Sequence, residues 1–295
     1  MERINKKDGV KMKNIKRILG IVLTVALLGV GLIGCGDSTK GDSSSTGDKK
    51  EIKFGVAPGP YGDLVKQAIQ PELEKKGYTV KVTEFSDYIQ PNLALGNNEI
   101  DVNVFQHEVY LKNFAKEHSL EIESITNIPT ASMGIFSSKY TKIEDLADGD
   151  IVSLPNDVPN LARGLRFLEQ SGLITLKKDI DLTKVSEKDI ATNPKNLKFT
   201  PVEAAQLPRT LDSSAIAVIN GNYAISSGLK LSDALVKEKL TEGYKNVIAI
   251  RTADKDSQFA KDILEIVKGA EFKKVVLDEN NQYKAFDFPE WFSAK

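Results

Sequence analysis

The sequence predicts an α/β protein of two lobes, each a mostly parallel sheet flanked by helices, with a ligand cleft between them. Short apolar strand patterns alternate with amphipathic helical ones from about residue 51 onward. The alternation restarts near residue 138, which marks a second unit of the same kind. A further strand and helix follow near residue 246, so the chain is expected to cross between lobes near 128–138 and again near 240–246. The expected first lobe is 51–137 plus 246–295, and the second is 138–245. Ligands of open α/β sheets bind beyond the carboxyl ends of the strands.

The elements follow in order. Ile52–Ala57 reads as a strand, ended by the turn Pro58-Gly59-Pro60. Tyr61–Lys76 is amphipathic, with Pro71 expected to kink or split it. Thr79–Phe85 alternates as a strand does, and Ser86 or Asp87 opens a short helix through Leu95. Strand Ile100–Val104, helix Gln106–His118 and strand Glu121–Ile125 complete the first run. The second run has a short helix at Ile143–Leu146, a strand at Ile151–Leu154, and a helix at Pro159–Gln170 stopped by Gly172. Strands at Leu197–Thr200, Ala215–Ile219 and Asn246–Ile250 precede a last amphipathic helix, Ser257–Lys268. Residues 175–196 are polar and weakly periodic, and are expected to be loop and short helical turns.

The N-terminus reads as an address. Lys13, Lys16 and Arg17 precede an uncharged stretch, Ile18 to Gly34, in the manner of a secretory signal. The segment Leu32-Ile33-Gly34-Cys35 resembles a bacterial lipobox, which implies cleavage before Cys35 and a lipid on its sulfur, the alternative being a plain transmembrane anchor. Glu2 and Asp8 do not suit a signal, so translation is expected to begin at Met12. Residues 35–50 continue as a Gly/Ser/Asp/Lys tether, a flexible coil spanning roughly 20 Å.

Composition and missing motifs narrow the function. Of 40 Lys+Arg and 41 Asp+Glu, residues 1–34 hold seven and two, which leaves 33 basic and 39 acidic groups, a net of −6. A mildly acidic body does not seek nucleic acid. Cys35 is the one cysteine, so the globular part makes no disulfide and no cysteine metal site. His107-Glu108-Val109-Tyr110-Leu111 begins like a zinc-protease helix, but Leu111 stands where the second His is needed. No Gly is followed by Lys, and residues 51–295 contain neither GxGxxG nor GxSxG. No catalytic residue, metal or cofactor is expected.

Four clusters read as a site: Phe85–Asn92, Asp101–Leu111, Pro155–Leu165, and Glu203–Arg209 with Ala217–Ala224. The third is the sharpest. Pro159 suits a first helical turn. Asn160 and Arg163 are three apart and share one face of that turn. Free N–H groups at the helix end, with the planar fork of Arg163, suit a carboxylate. The alternative is an Asn cap and an exposed Arg in a surface ion pair. Asn220 ends an apolar strand and offers an amide oxygen to a ligand ammonium, the alternative being a turn amide bonding its own backbone. Tyr88, Phe105, His107 and Tyr110 suit either the wall of an apolar pocket that favours a thioether or ordinary core packing. Arg209 is less well placed, because it precedes the strand that ends in Asn220.

At these residues the chain resembles the methionine-binding lipoproteins of the MetQ/NlpA family. The resemblance runs from about residue 52 to Phe288-Pro289-Glu290-Trp291 and rests on FSDYIQPN, DVNVFQHEVYL, ASMGIFSSKY, PNDVPNLARGL and AVINGNYA. It implies a type II periplasmic-binding-protein fold and delivery of L-methionine, or a related small ligand, to the permease and ATPase of an ABC importer. It implies that Arg163 takes the carboxylate, that Asn160 and Asn220 are polar ligands, and that Tyr88, Phe105, His107 and Tyr110 form the walls. Many relatives read Pro-Asn-Asp-Pro-x-Asn, whereas Val158-Pro159 here places the proline one step later. The expected protein is thus a lipid-anchored receptor on the extracytoplasmic face of the cell membrane, not an enzyme. Its alternatives are a receptor for a short methionine-containing peptide or another amino acid, a surface adhesion lipoprotein, and a hydrolase.

Overall fold

The computed structural model describes residues 50–293. The leader, Cys35 and all of the tether except Lys50 lie outside the described residues.

In chain order, β1 (Glu51–Val56) leads into α1 (Pro60–Leu64) and α2 (Gln70–Lys75). Then come β2 (Thr79–Glu84), α3 (Gln90–Gly96), β3 (Val102–His107), α4 (Glu108–His118) and β4 (Ile122–Asn127). The second unit has β5 (Gly134–Phe136), β6 (Ile151–Pro155), α5 (Val158–Gln170), β7 (Thr175–Leu176), β8 (Ile190–Thr192), β9 (Lys198–Val202), β10 (Ile216–Ile219), α6 (Gly221–Ser226) and β11 (Val236–Lys237). The chain closes with β12 (Asn246–Arg251), α7 (Gln258–Lys268), α8 (Ala270–Leu277) and α9 (Glu290–Ser293).

The two sheets repeat one plan. The first has order β2-β1-β3-β12-β4, and the second β9-β6-β10-β5-β11. In each, three parallel strands are followed by an antiparallel fourth and then a fifth. The fourth strand, β12 or β5, is antiparallel to both its neighbours and is the first strand after a chain crossing. Each sheet is therefore finished by chain arriving from the other lobe. Gly134–Phe136, placed by sequence in the first lobe, pairs with β10 and β11 of the second sheet.

Local chemistry explains the main departures. The helix expected over 61–76 is α1 and α2 joined by a π-helical turn, Val65–Ile69. Pro71 lacks the N–H for an i→i−4 bond, and the widened turn before it absorbs that loss. Asp87 Oδ1 accepts from Ile89 N and Gln90 N at 2.7 and 2.9 Å, the turn that leads into α3. The strand expected over 100–104 runs instead to His107, because Asn246 of β12 pairs with His107. Helix α4 therefore starts at Glu108 rather than Gln106. Residues 175–196 carry the ribbon β7–β8 and a 3₁₀ turn at Glu187–Asp189, where loop and turns were expected. Strands of two or three residues carry no period, so β5, β7, β8 and β11 had no sequence signal.

Each sheet has its own core. Ile52, Phe54, Val102, Val104 and Ile248 pack with α1, α7 and α8 residues such as Leu64, Ile263 and Phe272. Val152, Leu154, Ile216 and Val218 pack with Leu165 and Leu168 of α5. A third cluster joins the lobes: Tyr88, Phe105 and Tyr110 from the first meet Phe136, Leu207, Ile219 and Tyr223 from the second. Among the described residues no helix is long and apolar enough to cross a membrane.

One ion pair fastens the crossing strand β12 to the first sheet. Arg251 Nη2 donates to Asp101 Oδ1 at 3.0 Å, and Nη1 donates to Leu95 O and Ile100 O. Asp101 Oδ2 accepts from Lys53 N at 2.9 Å. Asp101 is buried and Arg251 only partly so; removing one partner of a fully buried pair costs about 3–5 kcal/mol. Arg251→Ala is expected to lower unfolding free energy in urea at the lower end of that range, about 3 kcal/mol. A loss below about 1 kcal/mol, the surface-pair value, would contradict this.

Candidate functional site

The site is assembled at the carboxyl ends of β3, β6 and β10. On α5, Asp157 is the N-cap, and its Oδ1 accepts from Asn160 N at 3.0 Å and from Asn160 Nδ2 at 2.9 Å. Asn160 was read as a possible cap, but Asp157 fills that role. The late proline is harmless to this loop. Val158 simply takes the first helical position, half exposed, with Pro159 behind it. The capping holds the Asn160 amide in one orientation. Its Oδ1 then accepts from Asn220 Nδ2 at 2.9 Å and contacts His107 Nε2 at 3.2 Å across the lobes.

His107 is both wall and cap. Its Nδ1 accepts from Tyr110 N at 3.1 Å and so caps α4. With Nδ1 unprotonated, Nε2 carries the hydrogen donated to Asn160. Burial holds the ring pKa well below 6.5, nearby Arg163 adds to this, and the bond to Asn160 opposes both.

Arg163 is buried, not on the surface, and it is paired. Its Nε donates to Glu238 Oε1 at 2.8 Å and its Nη2 to Glu238 Oε2 at 2.6 Å. Glu238 Oε2 also accepts from Met133 N at 3.0 Å. Tyr244 lies 5.4 Å from the guanidinium carbon. The ion pair is therefore buried and not the surface pair of the alternative reading; one edge of the fork is occupied, and the Nη1 hydrogens with one on Nη2 remain.

Tyr88, Phe105, His107, Tyr110, Asn160, Arg163 and Asn220 all line one cavity. The aromatic hydroxyls are already engaged. Tyr88 Oη donates to Asn222 Oδ1 at 2.6 Å, and Tyr110 Oη to Tyr88 O at 3.2 Å. Tyr88 packs against Phe105 and Tyr110 with centroids 5.6 and 5.9 Å apart. These rings are pocket wall and interlobe core at once.

Asn220 does not bond its own backbone. With Nδ2 spent on Asn160, its Oδ1 is buried and accepts no hydrogen bond. Among the described residues three other buried side-chain oxygens share that condition; Asp254 and Asp287 are ion-paired, and Ser132 does not line the cavity. Arg209 is exposed, donates to Gln206 and lies outside the cavity.

Three residues that shape this geometry were not singled out from the sequence. Tyr61 lines the cavity and its hydroxyl accepts from Ala131 N at 3.1 Å. Asn222 bridges the lobes, donating to Pro58 O at 2.9 Å while accepting from Tyr88. Its place inside AVINGNYA was a usable signal. Glu238 lies in a polar stretch and gave none. No group of three or more His, Cys, Asp or Glu among the described residues is placed to hold a metal.

The pattern of the family described as NlpA lipoprotein matches residues 52–291. The D-methionine-binding lipoprotein MetQ of Salmonella typhi is 37% identical over 250 residues, 83% of this chain and 89% of that one. Outer membrane lipoprotein 3 of Mannheimia haemolytica is 32% identical over 93% of this chain and 100% of its own. A nutrient binding protein from Burkholderia cenocepacia, solved bound to methionine, is 37% identical with a TM-score of 0.75, covering 80% of this chain and 100% of that one.

The His107 environment predicts a pH response. The unfolded ring takes a proton near 6.5 while the native ring stays neutral, so this term favours the fold above pH 6.5 and is lost as pH falls. Asp157 runs the other way: burial raises it from 3.8 to about 6, so its contribution is present below 3.8 and lost as pH rises through about 6. Nitrogen NMR should show His107 as the neutral Nε2–H tautomer from about pH 8 to below pH 6. A ring titrating at its ordinary value would refute the assignment.

Proposed function

Because the chain belongs to the NlpA lipoprotein family, we propose that it captures free methionine between its lobes and delivers it to an ABC importer. It is a solute-binding protein, not an enzyme. The observation that carries the ligand reading is the unfilled polar capacity of the cavity. Asn220 Oδ1 is a buried acceptor without a donor. Arg163 keeps three N–H groups beyond those given to Glu238. An α-amino acid brings one ammonium and one carboxylate, which satisfy the two. The ring faces and edges of Tyr88, Phe105 and Tyr110 then suit a thioether. A methionyl peptide would add an amide whose donor and acceptor find no further orphan partner in this cavity, so the free amino acid is favoured.

The lipobox supports a lipid on Cys35, and the tether supports a globule working beside the membrane on its extracytoplasmic face, handing ligand to a permease and its ATPase. Cys35→Ala should move the protein from the membrane to the soluble fraction. Unchanged fractionation would remove the anchor from this account.

Calorimetric titration of stripped protein tests the ligand. Truncating a buried charged partner costs about 2–5 kcal/mol, so Arg163→Ala should weaken methionine binding by roughly 30-fold to several thousand-fold. Methionine amide, lacking the carboxylate, should show a similar defect on the unaltered protein. Wild-type affinity in the variant would refute a carboxylate site at Arg163. Titrating both enantiomers in the same series gives the stereochemical preference.

A further inference from the structure

We propose that Glu238 sets the charge class of the ligand: by positioning Arg163 and neutralising it, it makes the cleft a receptor for a zwitterion that rejects an anion of the same shape. This rests on the reading that Arg163 receives the ligand carboxylate.

Glu238 immediately follows β11, in the second crossing between the lobes, and is buried. Two parallel bonds at 2.8 and 2.6 Å fix the plane of the Arg163 guanidinium. The bond from Met133 N fixes Glu238 itself to the first crossing. Tyr244 packs at 5.4 Å from the guanidinium carbon. The guanidinium can therefore turn neither in its plane nor out of it, and its free edge is aimed.

The same contact cancels charge. Arg163 and Glu238 sum to zero, and burial keeps the His107 ring neutral. Asp157, held behind Asn160, is negative when ionised. Arg166 and Lys239 lie on the far side of the Arg163–Glu238 pair, in an adjoining pocket, and are not among the residues that line this cavity; Arg166 donates to Tyr244 Oη. The site therefore offers directed hydrogens but no net positive charge. A bare anion entering it adds an uncompensated buried charge, which costs several kcal/mol. A zwitterion brings its own ammonium. An unpaired Arg163 would invert this preference.

The test uses three ligands with one side chain: methionine, methionine amide, and the 2-hydroxy acid analogue of methionine. The hydroxy acid can still donate to Asn220 Oδ1 but carries a net negative charge, so it separates charge from hydrogen bonding. On the unaltered protein it should bind about 100-fold or more weakly than methionine. Glu238→Gln should shrink that gap by about 10-fold or more while weakening methionine amide further. Glu238→Asp retains the charge but shortens the reach, so methionine should weaken by about 10-fold with the gap kept within about 2-fold of the unaltered protein. A purely structural role would lower all three ligands by one factor in both variants, and that result would overturn the proposal. So would a hydroxy acid that binds the unaltered protein within about 10-fold of methionine, a result that requires no variant to fold. Failure of the unaltered protein to bind methionine would instead remove the ligand reading on which the proposal stands.

Discussion

The buried pair between Arg163 and Glu238 is the contact on which the rest of the cleft depends. Neither side chain keeps more than a small exposed fraction, so both charges must be met within the protein. Arg163 rides on α5 of the second lobe, and Glu238 lies in one interlobe crossing and bonds Met133 at the end of the other. One ion pair thus joins a ligand-facing helix to both strands of chain that link the lobes. Such a pair adds little net stability against an apolar replacement. What it supplies is geometry: α5 cannot move relative to the crossings without exposing or orphaning a charge.

Around that pair the polar groups form a chain with few loose ends. Asp157 orients Asn160, and Asn160 receives Asn220 and meets His107 from the facing lobe. Asn222 reaches back to Pro58 and Tyr88. These links cross the same seam as the apolar cluster built on Tyr88, Phe105, Tyr110, Ile219 and Tyr223. The seam between the lobes therefore buries apolar surface and pairs polar groups together. The cavity left inside contains one orphan acceptor and the free edge of one cation.

Much of this was legible in the sequence, and the remainder was not for identifiable reasons. Strands β1, β2, β4 and β6 and helices α5 and α7 have enough residues for a period to show. The short strands β5 and β11 exist only because β10 and each other offer hydrogen bonds, which no local pattern records. Helix α8 escaped notice although its AEFKKVVL segment has apolar residues, since it follows directly on Gly269. All seven residues singled out for the site line one cavity, because strand ends and a helix start are where this topology must converge. Glu238 was invisible because its partner is 75 positions away. The same distance explains why the expected alternative for Arg163 was a surface ion pair and not a buried one. Asp157 was passed over as the cap, since Asn and Asp cap equally well and only the backbone decides which one serves.

The central claim is that the closed lobes enclose one free methionine. Native mass spectrometry of the purified protein tests it most directly, because it weighs what the cleft holds. The account predicts one methionine per chain, either carried through purification or acquired on adding it to stripped protein, and displaced by isotopically labelled methionine. A chain that neither retains nor acquires methionine under those conditions, or that instead carries a heavier peptide, would contradict it.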